Sequence, residues 1–155
     1  MELRKQRYSV FLDSNRGGLN MAKFFQLEEL LYSKKALDNK IQNNPSWTVI
    51  DNLEELATCV LDPLREKWGH PIAVTSGFRS KKLNDFVKGS KNSQHLLGQA
   101  ADITCGNNKK LFELAKSMIE SGEIVVGQLI NEYNYSWVHI SLPDDKHRNE
   151  IFSIS

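Results

Sequence analysis

The stretch Gln128-Leu129-Ile130-Asn131-Glu132-Tyr133-Asn134-Tyr135-Ser136-Trp137-Val138-His139-Ile140-Ser141-Leu142 decides the fold. It predicts two strands, Ile124 to Glu132 and Trp137 to Leu142, joined as a hairpin through Tyr133-Asn134-Tyr135-Ser136. Alternation in the second strand puts Val138, Ile140 and Leu142 on one face and Trp137, His139 and Ser141 on the other. The aliphatic face needs a core to cover it; the opposite face carries an imidazole beside an indole. If Ile130 pairs with His139, then Glu132 opposes Trp137 and shares the imidazole face, whereas a slip of one residue sends it to the other side.

Working outward, Ala100 to Thr104 reads as a further strand with Asp102 set between Ala101 and Ile103. A carboxylate inside a buried strand is costly unless it is hydrogen-bonded, paired or bound to a metal. Ile72-Ala73-Val74-Thr75 is a short β-type run closed by Ser76-Gly77, Lys81 to Val87 a short helix, and Lys88 to Ser93 a polar loop. Between Trp47 and Trp68 the apolar residues Val49, Leu53, Leu56, Ala57, Val60, Leu61 and Leu64 follow helical steps. Pro63 is expected to kink the last turn of that helix, and Gly69 with Pro71 to end it. Asn107 is a plausible N-cap for a helix carrying Leu111, Leu114, Ala115, Met118 and Ile119, stopping at Gly122. The sum is an α+β fold: a small antiparallel sheet flanked by helices rather than a doubly wound sheet.

At 155 residues the chain is of single-domain size. Residues 1–20 are basic, contain Arg16-Gly17-Gly18 and show no sustained period, so they are expected to form a loose extension to a domain spanning 21–155. An edge strand at Tyr8–Leu12 is the alternative. Lys and Arg total 20 against 19 Asp and Glu, a net charge of +1, which gives no support for nucleic-acid binding. Hydrophobic residues at 40% and charged residues at 25% exclude wholesale disorder. No apolar run approaches the roughly 18–20 residues needed to span a bilayer, and the start lacks a signal-peptide pattern. Cys59 and Cys105 lie far apart with no Cys-x-x-Cys spacing, against a disulfide framework or thiolate zinc cluster. The expectation is synthesis and retention in a reducing cytoplasm.

Chemistry centres on the histidines. His95 follows a polar loop and precedes Asp102 by seven residues; His139 stands on the non-aliphatic face of its strand. Two imidazoles and a carboxylate make a three-ligand site for a borderline ion such as zinc, with a fourth position left for water. The same residues also read as a turn-capping aspartate and two satisfied histidines. Both readings stand at this level.

The residues also carry a family likeness. Ser76-Gly77-Phe78-Arg79-Ser80, Leu83-Asn84, Ser93-Gln94-His95 with Gly98, Ala101-Asp102-Ile103 and Trp137-Val138-His139-Ile140-Ser141 occur in an order that resembles zinc peptidases of the D-alanyl-D-alanine carboxypeptidase type. That group includes the vancomycin-resistance D,D-dipeptidases and the L-alanyl-D-glutamate endolysins of phages. The resemblance runs from about Phe24 to Leu142. It implies zinc ligands at His95, Asp102 and His139 and a substrate or transition-state arginine at Arg79. A guanidinium is permanently charged and forked, suited to a carboxylate or a developing oxyanion. Ser93 is a candidate for holding substrate or orienting His95.

One position departs from the pattern. Better-known members place an acid three residues before the final histidine, where this chain has Ser136. Glu132, the nearest acid upstream, is therefore the candidate general base. Asp144, Asp145 and Glu150 read as a solvated tail, His147 as solvent-exposed and His70 as a helix-end residue. Trp47 and Trp68 fall on the apolar stripe, and Cys105 would close the metal site if it were a fourth ligand. The expectation is one zinc per chain and hydrolysis of a peptide bond in peptidoglycan stem peptides, as D,D-carboxypeptidase or endopeptidase. The rival is a non-catalytic zinc module that binds cell-wall peptides or a protein partner. Since that substrate lies outside the membrane, release through a phage-type lysis pore is one route to it.

Overall fold

The structure is a computed structural model that describes residues 22–155. The expectations for residues 1–20, including Tyr8–Leu12, lie outside the described residues.

Two short helices, α1 (Leu27–Leu31) and α2 (Lys34–Asp38), lead to α3 (Trp47–Leu56), which continues through a π turn (Ala57–Leu61) into α4 (Asp62–Trp68). Ser46 caps α3 by accepting from the Val49 N–H. Pro63 stands in the first turn of α4, just after this π turn. The Asp62 N–H bonds back five residues to the Ala57 carbonyl, so the ladder has already shifted where the proline, lacking an N–H, enters the first turn of α4. Gly69 at φ 79° closes α4.

Then follow β1 (Ala73–Ser76), α5 (Lys81–Phe86), a 3₁₀ turn (Gln94–Leu97), β2 (Ala100–Thr104) and α6 (Asn108–Glu120). The chain ends in β3 (Gln128–Glu132), β4 (Trp137–Ser141) and β5 (Glu150–Ile154). Asn107 caps α6 through the Lys110 N–H. The α+β architecture is that expected from the sequence, with a sheet in the order β1-β2-β4-β3-β5. Four strands pair antiparallel; β5 runs parallel to β3.

Two details differ from expectation. Of the run Ile124–Glu132 only Gln128–Glu132 is strand, because the Ile124 N–H donates to the Met118 carbonyl and the Val126 N–H to Asn149 Oδ1. Glu150 belongs not to a solvated tail but to β5, where its carboxylate accepts from Gln128 Nε2 at 2.8 Å and meets His147 Nδ1 at 3.0 Å. His147 is accordingly half-buried rather than free in solvent.

The core lies between the helices and one face of the sheet. Leu53, Leu56, Val60 and Leu64 of the long helical segment and Leu111 and Ala115 of α6 pack against Ala101, Ile103, Leu129, Val138 and Ile140. Trp47 and Trp68 border this core, partly buried. No helix among the described residues is long and apolar enough to cross a membrane. The opposite face of the sheet presents Asp102, His139, Ile130 and Glu132 to a cleft.

Candidate metal centre

Register brings the ligand candidates together. Asp102 of β2 sits directly opposite His139 of β4, and His139 opposite Ile130 of β3, leaving Glu132 opposite Trp137. This is the pairing that puts Glu132 on the face of the imidazole. His95 arrives from the 3₁₀ turn, whose backbone is set by Ser93 Oγ accepting from the His95 N–H at 3.2 Å. Gly98 ends that turn at φ 70°, a conformation that suits glycine. The rings of His95 and His139 meet edge to face with centroids 5.2 Å apart. His95 Nε2 lies 3.3 Å and His139 Nδ1 3.1 Å from the same oxygen, Asp102 Oδ1. All three residues are buried, and one ligand atom from each lies within 4.8 Å of the others.

The cluster fits a cation. The Gly77 carbonyl holds His95 Nδ1 at 2.7 Å, which fixes the proton on that nitrogen and turns the Nε2 lone pair toward the Asp102 carboxylate. Lone pair against carboxylate is repulsive unless a proton or a metal ion lies between them. A proton is disfavoured, since burial pushes the His95 imidazole below its usual pKa. Burial alone would raise the Asp102 carboxyl, but the flanking His95 and His139 outweigh it and hold the group well below the usual carboxylate range. An ionised carboxylate and a nitrogen lone pair aimed at one point are donors that could hold a metal ion. Two imidazoles and one carboxylate suit zinc, with a position left open.

Around the ligands, β1 carries a bulge at Thr75 that brings Ser76 beside Asp102 and sends the chain across the end of the site. Gly77 passes so close to α1 that a Cβ there would lie 2.1 Å from the Leu30 carbonyl oxygen, and the next N–H, of Phe78, donates to that oxygen. Arg79 is thereby aimed back at the ligands. Its Nε donates to Ser76 Oγ at 3.1 Å, Nη1 to Asn84 Oδ1 at 3.1 Å, and Nη2 to Asp102 Oδ2 at 3.5 Å. Asn84 is itself buried and donates to the Ser90 carbonyl.

Glu132 is half-buried in the same cleft. Burial and then the Asp102 charge push its carboxyl above the usual value, while His139 and Arg79 oppose the rise. The turn after it contains three successive residues at positive φ, Tyr133, Asn134 and Tyr135. Asn131 and Asn108 tie that turn down through the Tyr135 N–H and the Tyr135 and Ser136 carbonyls. Ser136 is exposed, its hydroxyl donating to the Tyr133 carbonyl. Cys105 stands outside the ligand cluster and accepts from the Asn107 N–H.

The family model described as Peptidase M15 matches residues 23–141, most of the chain. The chain belongs to the M15 peptidase family. It is also similar to the zinc D-Ala-D-Ala carboxypeptidase of Streptomyces albus G, 44% identical over 48 residues that make up 30% of this chain and 19% of that protein. The chain therefore aligns with about a fifth of the length of that curated relative. Within this M15 family member the sequence pattern singled out the buried polar cluster but assigned no part to the Gly77 carbonyl, Ser76 or Asn84. Ser76 and Asn84 did stand among the motif residues that carry the family likeness, but with no role attached to either.

Proposed function

We propose that this M15 family member is a zinc-dependent hydrolase of a peptide bond in peptidoglycan stem peptides, with His95, Asp102 and His139 as the ligands. The observation that carries the reading is the convergence of His95 Nε2 and His139 Nδ1 on one oxygen of a buried, ionised Asp102. The similarity to the zinc D-Ala-D-Ala carboxypeptidase of Streptomyces albus G supports both zinc and a D-Ala-D-Ala-type peptide substrate.

Zinc held by these residues would supply Lewis acidity and a nucleophilic hydroxide near neutral pH. Glu132, on the same cleft face, takes the proton of the attacking water and returns it to the leaving amine nitrogen. Arg79 has five N–H donors, of which three are directed at Ser76, Asn84 and Asp102. Those bonds fix the plane of the guanidinium and leave its remaining donors for the carbonyl oxygen as negative charge develops there. Ser93 orients His95 by holding the 3₁₀ turn.

Ser136 at the family's usual acid position favours a second reading, a non-catalytic zinc module that binds cell-wall peptides. Incubating the zinc-loaded protein with purified peptidoglycan and weighing the released fragments separates the two. New amine and carboxyl termini that vanish with a chelator are the expected result. Bound but intact peptides would establish the module instead.

A further inference from the structure

Glu132 approaches the ligand row from a neighbouring strand. An acid three residues before His139 would sit at the start of β4, the strand that carries that ligand; Glu132 ends β3 instead. It stands diagonal to His139, because Ile130 is the residue opposite the imidazole and Glu132 lies two positions further on. Diagonal neighbours across a sheet are about 7–8 Å apart. A glutamate side chain rotates about three bonds, so it serves as a base across that gap only if something points it.

The residue directly opposite Glu132 is Trp137. Such partners hold their Cβ atoms about 4.5–5.5 Å apart on one face, which makes indole and carboxylate immediate neighbours. Both line the cleft. The indole Nε1 is shut off from solvent and closes no well-aligned hydrogen bond. The acceptor it works on is the Glu132 carboxylate, whose ionised form it favours. Hydrogen bonds of this kind are often long in the free enzyme and tighten around a bound substrate.

Trp137 is not one of the side chains that fill or border the core. Its ring packs instead on Tyr133, with centroids 5.1 Å apart and planes inclined by 57°. Tyr133 opens the turn at positive φ that Asn131 and Asn108 tie down. A line of support therefore runs from that turn through two aromatic rings to the carboxylate.

We infer that Trp137 is a positioning residue for the base: its indole N–H holds one oxygen of Glu132 and leaves the other to take the proton of the attacking water. This rests on the hydrolase reading above, with Glu132 as base. An indole nitrogen donates and never accepts, and the unprotonated oxygen of a carboxylic acid is the better acceptor. The transferred proton therefore settles on the oxygen turned away from the indole. The hydroxyl of water adds to the carbonyl carbon, that proton passes to the leaving nitrogen, and the C–N bond breaks, giving an acid and an amine.

Two variants of the zinc-loaded full chain test this. Trp137→Phe keeps a ring against Tyr133 and removes the N–H; the benzothiophene analogue of tryptophan at position 137 keeps the whole outline and replaces N–H by sulfur. A hydrogen bond to a charged group contributes about 10- to 100-fold, so kcat on a stem peptide should fall by that factor in both. KM should stay within about twofold and zinc content should not change. In a Glu132→Gln background the same replacements should cost less than about twofold, because no base remains to be directed; a merely structural tryptophan would cost the same factor in either background. The acid limb of kcat/KM should also move to higher pH, since the ionised carboxylate loses a donor while Asp102, His139 and Arg79, the other titratable and charged groups around it, remain.

A readout that needs no substrate is the indole N–H proton resonance, recognised as the one of three that Trp137→Phe removes. It should shift as pH passes through the titration of Glu132 and stand still in Glu132→Gln. An indole signal indifferent to Glu132, or equal losses of kcat in both backgrounds, would overturn the positioning role and leave the hydrolase reading standing. No turnover of any stem peptide by the unmodified chain would overturn hydrolysis itself and this inference with it.

Discussion

Gly77→Ala tests the link between the backbone of β1 and the metal centre. The added Cβ would lie 2.1 Å from the Leu30 carbonyl oxygen, 2.8 Å from its carbon and 2.9 Å from the Leu30 Cα. Ordinary contact between such atoms is about 3.5 Å, so the two backbones must part by roughly an ångström or more. The Gly77 carbonyl is the acceptor for His95 Nδ1 at 2.7 Å, and a shift of that size carries the pair beyond hydrogen-bond reach. Losing the acceptor behind a metal-binding histidine costs about 10- to 100-fold in affinity, or about 1.4–2.7 kcal/mol. Leaving a buried N–H unsatisfied and forcing an overpacked contact each cost about 1–3 kcal/mol of stability. At about 2–4 °C per kcal/mol for a chain of this size, the melting temperature should fall by about 4–24 °C. Calorimetry of the metal-free protein and competition with a chelator measure the two effects separately. Gly106→Ala is the control, since nothing lies within 4 Å of its added Cβ. A Gly77→Ala protein that melts within about 2 °C of the unmodified chain and keeps zinc affinity within about twofold would refute the reasoning.

Four further outcomes follow from the same geometry. His95→Ala, Asp102→Ala and His139→Ala should each sharply weaken zinc binding in a chelator competition, since each removes one of three ligands. Glu132→Gln should keep zinc but lose at least about 100-fold in turnover, and Ser136→Asp added to it should recover part of the rate; near-normal hydrolysis by Glu132→Gln would eliminate it as base. Arg79→Lys removes the fork that meets Ser76, Asn84 and Asp102 and should lower kcat about 100-fold while zinc content stays unchanged, measured by steady-state kinetics and metal analysis. Glu132 acts as base only when ionised and its carboxyl is raised, so kcat/KM should fall, as pH drops, through a value above the ordinary 4.5; a limb at or below that value counts against it.

The hairpin and the faces of its strands were legible because burial on one face writes a period of two into the sequence, whereas its register stood open between two pairings until the structure set Ile130 opposite His139. Val138 and Ile140 go to the core, and His139 has only one face left to occupy. Asp102 was legible for the converse reason: a carboxylate among Ala101 and Ile103 demands a partner. β5 escaped because it is a largely exposed edge strand. Its register against β3 is set by distant partners such as Asn149 with Val126, not by any pattern of its own. Ile124 and Val126 misled in the opposite way, being buried without belonging to a strand. The Gly77 carbonyl left no trace, since every residue has a carbonyl and only the fold decides which one meets a histidine.

The adjacency of β2 and β4 has a consequence for the order of events in folding. Asp102 and His139 are neighbours across the sheet but 37 positions apart along the chain, and His95 reaches them only through a separate turn. A chain that has not yet closed this non-local pairing holds the three ligands far apart and offers an ion no preformed site. The ion therefore has little to grip while the sheet assembles and much to hold once it is complete. Its stabilisation falls on the escape from the native state, so zinc lengthens the lifetime of the folded protein far more than it hastens folding.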